Sequence, residues 1–176
     1  MQRRSLIGAT ALLSIASLAP TRLVAAAMKT IDVGPWSFRA PSDWRQVESV
    51  NGIPYLESKD GTKGCYIKAL TFGQTYPSPT NAAAYLQGVH ERNYFADSKA
   101  KWEVKQRSAS TAGATASSIL DLLDAASNYR VLSVVVAATD VAVQLTLHDY
   151  ACEDYDASAQ SFEPIATSIR GPRSGA

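Results

Sequence analysis

The chain has 176 residues, 46% of them hydrophobic, 19% charged and 9% aromatic. That mixture is too apolar and too sparsely charged for a disordered polypeptide, and the length suits one domain. Seventeen basic residues against sixteen acidic ones give a formal charge of +1, which leaves no electrostatic footprint for nucleic acid or an anionic membrane.

The first 27 residues have the pattern of a targeting segment. Arg3 and Arg4 open it, and Leu6, Ile7, Leu12, Leu13, Ile15 and Leu18 follow in a mildly apolar stretch. Pro20 breaks that stretch, and Ala25-Ala26-Ala27 offers a small-residue cleavage site. A bilayer core needs about 20 apolar residues in a row, so no stable membrane anchor is expected. Arg3-Arg4-Ser5-Leu6-Ile7 fits a twin-arginine export signal, with the general secretion route as the alternative. Either route implies a periplasmic or secreted protein. Cleavage near Ala27 removes Arg3, Arg4 and Arg22 and no acidic residue, leaving 14 basic against 16 acidic residues. A single slightly acidic domain is expected over 28–171, with 172–176 as a loose tail.

Lys29 to Val33 reads as a short strand and Gly34-Pro35 as a turn. Trp36 to Ala40 alternates aromatic and polar residues, a second strand that Pro41-Ser42-Asp43 ends. Arg45 to Val50 and Ile53 to Ser58 form a hairpin about Asn51-Gly52, and Asp60-Gly61 leads into a strand from Gly64 to Phe72. A loop with two prolines precedes a helix from Asn81 to about Phe95. Thr80 is its expected N-cap, with Ala82, Leu86, Val89 and Asn93 on one stripe. Trp102 to Ser108 is a polar strand. Ala116 to Leu123 fits a helix or a buried strand by period alone. The β-branched runs Tyr129–Val136 and Val141–Leu147 that follow argue for a strand and an antiparallel meander, turning at Ala125–Asn128 and Thr139-Asp140. The last element is a helix capped by Asp154 or Asp156, with Phe162, Ile165 and Ile169 on one stripe. Pro164 predicts a bend or a break in it, and Gly171-Pro172 its end.

Three local phrases carry a family likeness. Phe38-Arg39-Ala40-Pro41-Ser42-Asp43-Trp44 resembles the F-x-x-P-x-x-W opening of the PsbP-like superfamily. Ser58-Lys59-Asp60-Gly61 resembles its S-x-D-G turn, and Phe162 to Ile169 its F-x-x-I-x-x-S-I/F closing helix. The likeness spans Ile31 to Arg170. It implies an α+β fold, a central antiparallel sheet with helices packed on it as an α/β/α sandwich. The superfamily includes a nuclear Ran-binding protein and bacterial chaperones for secreted toxins. Its members mostly bind other proteins and share no catalytic residues, so the resemblance implies a binding protein by analogy of fold.

The residues themselves carry little chemistry. His148, Asp149, Glu153, Asp154 and Asp156 crowd one turn beside Cys152. Hard cations want several oxygen ligands, but the D-x-D-x-D-G calcium pattern is missing, and a solvated acidic turn that caps the last helix is the plainer account. His90-Glu91 begins an H-E-x-x-H zinc motif, yet position 94 is Tyr. Nucleophile-elbow, phosphate-loop and dinucleotide fingerprints are missing, so no catalytic residue, metal or cofactor is assigned. Cys65 and Cys152 permit one disulfide in an exported chain, two separate buried thiols being the other arrangement.

Aromatic residues are the better lead, because they supply both cores and interface anchors. Of Trp36, Trp44, Tyr55, Tyr66, Phe72 and Tyr76, most are expected in the core, with Tyr76 exposed on its loop. Tyr150 and Tyr155, beside the acidic turn, are the second exposed candidates. Tyr76, Tyr150, Glu153, Asp154, Tyr155 and Asp156 are therefore the candidate contact residues. The function expected is a non-enzymatic exported module that holds a protein partner, in its most specific form an immunity protein neutralising a secreted toxin. The alternative is a periplasmic accessory protein that binds a small ligand or a metal.

Overall fold

Strand-forming sequence dominates the computed structural model, which describes residues 27–48, 52–96 and 99–171. The apolar stretch and twin arginines of the targeting segment, Asn51 of the expected hairpin turn and the tail 172–176 lie outside the described residues. The elements in chain order are β1 (Met28–Val33), β2 (Trp36–Pro41), β3 (Arg45–Val47), β4 (Tyr55–Glu57), β5 (Lys63–Thr71), α1 (Pro79–Phe95), β6 (Glu103–Ala112), β7 (Thr115–Asp124), β8 (Tyr129–Ala137), β9 (Val141–Asp149) and α2 (Tyr155–Ala166).

Among the described strands β1 and β2 pair with each other, while the other seven form one antiparallel sheet in the order β3-β4-β5-β9-β8-β7-β6. β7, β8 and β9 are the expected meander. The central join is non-local: β5 zips to β9 from Lys63 opposite Asp149 to Thr71 opposite Val141. Both faces of β9 are covered, which is why its residues are buried from Ala142 to Asp149 whatever their polarity.

α1 lies on one face of the sheet, over β7 and β8; α2 and the β1–β2 hairpin lie on the other. The α2 face holds the larger core, with Trp36, Phe38 and Trp44 from the hairpin region, Leu145 and Leu147 from β9, and Phe162 and Ile165 from α2. Burying Phe162 and Ile165 contributes about 1.5–3 kcal/mol each. The α1 face is lined by small residues, Ala82, Ala83, Ala116, Ala137 and Ala142, so the helix can approach closely. The chain after α2 returns to the hairpin, where Ser37 and Arg170 exchange backbone hydrogen bonds of 2.9 and 2.8 Å.

The architecture is α+β, as the sequence predicts, and the local differences have physical reasons. α1 begins at Pro79, with Ser78 rather than Thr80 as N-cap; the Ser78 hydroxyl accepts from the Asn81 amide at 3.2 Å. Proline at the first helical position lacks only an N–H that would be unpaired anyway. The buried stripe of α1 is also rotated. Ala82, Ala83 and Gln87 are buried, whereas Asn93 is exposed and Leu86 and Val89 are half-buried. α2 runs unbroken through Pro164. The missing N–H frees only the carbonyl of Gln160, an exposed residue that water can serve. Cys65 and Cys152 are free thiols, both buried. Cys65 belongs to the core on the α2 face, while Cys152 sits in the loop before α2, its amide donating to Asn128 O at 2.7 Å. No helix among the described residues is long and apolar enough to cross a membrane.

Candidate functional site

Strand alternation decides what faces α1. On β9, Val143, Leu145 and Leu147 point to the α2 face, so Gln144, Thr146 and His148 point to α1. Opposite them on β8 stand Val135, Ser133 and Val131, and Tyr129 follows on the same face. α1 meets this surface with Gln87, His90 and Tyr94, spaced i, i+3 and i+7 along one side of the helix. Gln144 Nε2 donates to Ser133 Oγ at 3.2 Å, and the Ser133 hydroxyl donates to Gln87 Oε1 at 3.4 Å. The seam between helix and sheet is therefore polar and well buried. Gln87 Nε2, His90 Nε2 and Trp102 Nε1 are buried along it without a hydrogen-bond partner among the described residues.

Toward the C-terminal end of α1 the seam becomes aromatic. His90 meets Tyr94 edge-on at 4.9 Å between ring centres, Tyr94 meets Trp102 at 5.3 Å, and Trp102 meets Tyr129 at 5.4 Å. Tyr129, His148 and Tyr150 then stack on one another, within 19° of parallel and 5.5 to 5.8 Å apart. Tyr66 stands edge-on to His148 at 5.2 Å, and Tyr55 lies 4.5 Å beyond it. Eight rings from β4, β5, α1, the stretch before β6, β8 and the end of β9 thus touch in series, each contact adding about 0.5–1.5 kcal/mol to the area buried. Tyr129 Oη and His148 Nδ1 share a hydrogen bond of 2.5 Å, and the hydroxyls of Tyr55 and Tyr150 lie 3.2 Å apart. Gly64 makes room for this: a Cβ there would stand 1.8 Å from Tyr55 Oη. Without one, Tyr55 lies across β5 and reaches Tyr150.

Burial controls the protonation of the group. It pushes His148 down to about 4, with His90 adding to the effect, and His90 to about 4, with Lys68 adding. Burial likewise raises Tyr55, Tyr94, Tyr129 and Tyr150 above the ordinary phenol value. At neutral pH His90, His148, Tyr55, Tyr94, Tyr129 and Tyr150 carry no charge, so the cluster offers stacking, apolar area and hydrogen bonds.

The rim of the cluster is open. Tyr150, the first residue after β9, is 43% exposed; Phe95, the last of α1, is 47% exposed; Val104, the second of β6, is 39% exposed. All three stand at the end of the sheet where β6 and β8 begin and β9 ends. The start of α2 belongs to the same end, because the Cys152 amide is tied to the β7–β8 turn.

No family model matches the sequence, and comparison with curated proteins finds no match. Among solved structures, the solution structure of cyanobacterial PsbP (CyanoP) from Synechocystis sp. PCC 6803 aligns with a TM-score of 0.61, over 86% of this chain and 96% of that one. The fold is PsbP-like. Sequence identity is 12%, so the likeness is one of fold. A crystal structure from Bacteroides thetaiotaomicron VPI-5482 aligns at 15% identity and a TM-score of 0.47, over 84% of this chain and 50% of that one.

Within the PsbP-like framework the motif residues have structural work. Phe38, Trp44, Phe162 and Ile165 are core. Asp60 accepts hydrogen bonds from the Ser58 hydroxyl and from the amide and hydroxyl of Thr62, which hold its carboxyl at about 2. Of the candidate contact residues, Tyr150, Glu153, Asp154 and Asp156 are exposed at the aromatic end. Asp154 is the N-cap of α2, its carboxylate accepting from the amides of Asp156 and Ala157 at 2.9 and 3.1 Å. Tyr155 is half-buried, not exposed: its hydroxyl donates to Asp121 Oδ2 at 2.8 Å and its ring lies over the Arg130 guanidinium. Tyr76 is half-buried too, at the opposite end of α1. Its amide donates to Thr139 O, and its ring fits between Phe72 and Tyr85, so its loop is pinned down.

The acidic turn does not assemble as a metal site. His148 faces α1 from inside β9, while Asp149 is buried and paired with Lys63 at 3.2 Å. No group of three or more His, Cys, Asp or Glu among the described residues is arranged to hold a metal ion. Sequence reasoning missed His90, Tyr94, Trp102 and Tyr129 as members of a site. The available signal was polar and aromatic residues at helical spacing, Gln87, His90 and Tyr94, matched by Gln144, Thr146 and His148 at strand spacing.

Proposed function

We propose that the protein is a non-enzymatic, exported binding module that holds a protein partner on the aromatic end of its sheet. The observation that carries this reading is the exposure of Tyr150 within the ring stack, with Phe95 and Val104 exposed at the same end of the sheet. Large exposed apolar residues gathered at one place mark interaction surfaces, and a tyrosine already held by stacking loses little freedom when a partner covers it. Glu153, exposed beside this rim, favours a basic partner and an association rate that falls with salt. Histidines pushed down to about 4 are weak bases at neutral pH, which favours binding over acid–base catalysis. An inhibitor of a secreted toxin is the form of this reading that fits the targeting pattern and small size.

The test is affinity capture from periplasmic and co-culture extracts, using the wild-type chain and the Tyr150→Ala/Phe95→Ala variant. A single stoichiometric partner is expected, bound at least tenfold more weakly by the variant, as for loss of hot-spot residues. Capture that the double substitution leaves unchanged removes the aromatic rim as the contact face. No partner at native salt removes the reading itself.

A further inference from the structure

On the α2 face, helix and hairpin cover β4, β5, β9 and β8, and leave the far side of the sheet open. β6 is exposed at all ten of its residues, and Thr115, Ser117 and Ile119 of β7 are only half-buried. Two cavities run along this margin between α2 and the sheet. One, of about 460 Å³, is lined by Gln106, Ile119, Asp156, Gln160 and Glu163 among others; the next, of about 360 Å³, reaches Ala112, Val136 and Ile169. Ile119, Ala166 and Thr167 line both, so the two make one continuous groove.

The groove has an apolar floor and an acidic wall. Ile119, Leu132, Val134 and Val136 form the floor. Asp156 and Glu163 stand on the α2 wall seven residues apart, about 10 Å at the helical rise of 1.5 Å per residue. Both are exposed, and neither has an ion-pair partner among the described residues. The other two charges of the lining cancel: Arg130 Nε and Nη2 donate to the two carboxylate oxygens of Asp121 at 3.0 and 2.7 Å. Lys105, which lies over the Tyr155 ring nearby, is paired with Glu103 at 3.1 Å.

We infer that this groove is a second docking site, for a basic extended segment of a partner protein. An extended chain of polyproline II type has three residues per turn and advances about 3.1 Å per residue, so two Lys or Arg residues three positions apart share one side and match the separation of Asp156 and Glu163. Small apolar residues of the segment fill the floor over Ile119. The site lies on the opposite face of the sheet from Tyr129, His148 and Tyr150, and does not depend on the aromatic rim.

The test uses the full chain and two fluorescein-labelled, N-acetylated peptides, Leu-Arg-Leu-Leu-Arg-Leu and its counterpart with glutamate in place of arginine, read by fluorescence anisotropy. The arginine peptide is expected to bind and the glutamate peptide not to. The Asp156→Lys/Glu163→Lys variant, altered only at exposed positions, is expected to bind the arginine peptide at least tenfold more weakly and to gain binding of the glutamate peptide. Ala159→Trp, which fills the groove without changing its charge, is expected to block the arginine peptide, while Tyr150→Ala leaves its binding unchanged. Equal binding of the two peptides, arginine-peptide binding that survives both the charge reversal and Ala159→Trp, or no binding at all would overturn the proposal.

Discussion

Gly64 shows how much of the aromatic cluster rests on one missing side chain. A methyl group at that position would stand 1.8 Å from Tyr55 Oη and 2.2 Å from Tyr55 Cζ, so the ring would have to leave β5 altogether. Gly64→Ala is expected to cost about 1–3 kcal/mol, the usual penalty for overpacking, and to break the contact between Tyr55 and Tyr150. Gly73→Ala, which meets nothing within 4 Å, is the control and should lie within about 0.5 kcal/mol of wild type. Urea melts of both variants check this. A further cycle with Tyr55→Ala should show Gly64→Ala to be nearly silent once the ring is gone. Equal penalties in the two backgrounds would mean that Gly64 acts through the backbone and not through Tyr55. The glycine is visible in the sequence, but its purpose is not, because Tyr55 is brought over it only by the register of β4 on β5.

At the scale of elements, α2 is held to the sheet by one buried ionic network and begun by one cap. Arg130 donates to Asp121 through two nitrogens and to Ser158 Oγ at 3.0 Å, while Tyr155 donates to the same carboxylate. Removing one partner of a buried pair leaves an uncompensated charge, so Asp121→Ala is expected to destabilise by roughly 3–5 kcal/mol. Asp154→Ala, which removes the cap of the same helix, is expected to cost about 1 kcal/mol. Urea melts of the two variants decide the ranking; a larger loss from the cap would show that the network is largely dispensable. The meander β7–β8–β9 was legible because its β-branched runs are long and separated by short polar turns. The orientation of α1 was not. Leu86 and Val89 look like the buried residues of that helix, and only the pairing of β8 with β9 shows that it faces Gln144, Thr146 and His148. A helix over a polar sheet surface buries Gln87 and turns the half-buried His90 and Tyr94 toward the sheet, although an apolar pattern reads all three as outward-facing. Tyr155 was misplaced for a related reason: Asp121, its partner, lies 34 positions away.

At the scale of the whole molecule, the two histidines set a pH dependence. Both are pushed from the ordinary 6.5 to about 4 by burial, so the unfolded chain binds protons first as the pH falls. Stability is therefore full above about 6.5 and is lost progressively as the pH falls toward 4. Asp60 acts in a separate window, since its stabilisation is lost only between its ordinary 3.8 and about 2. Urea midpoints at pH 7.5 and pH 4.5 are expected to differ, the acid value being lower, and His90→Gln/His148→Gln should flatten that slope. A slope that the double substitution leaves intact would place the titrating groups elsewhere. The general architecture was readable from its motifs and strand runs. The site was not, because it is assembled from α1, the stretch before β6 and residues of four strands, none of which is distinctive alone.

The join between β5 and β9 also orders events in time. About 70 residues separate Thr71 from Val141, its last facing pair. At about 5–20 residues per second of synthesis, β5 waits roughly 4–14 s for the strand that completes it. The β3–β4–β5 ladder is made early, yet one edge of β5 stays open until β9, Val141–Asp149 of 176 residues, has been delivered. A truncation ahead of Val141 would therefore cost more than one strand: it would part the sheet into β3–β5 and β6–β8, with no strand between them.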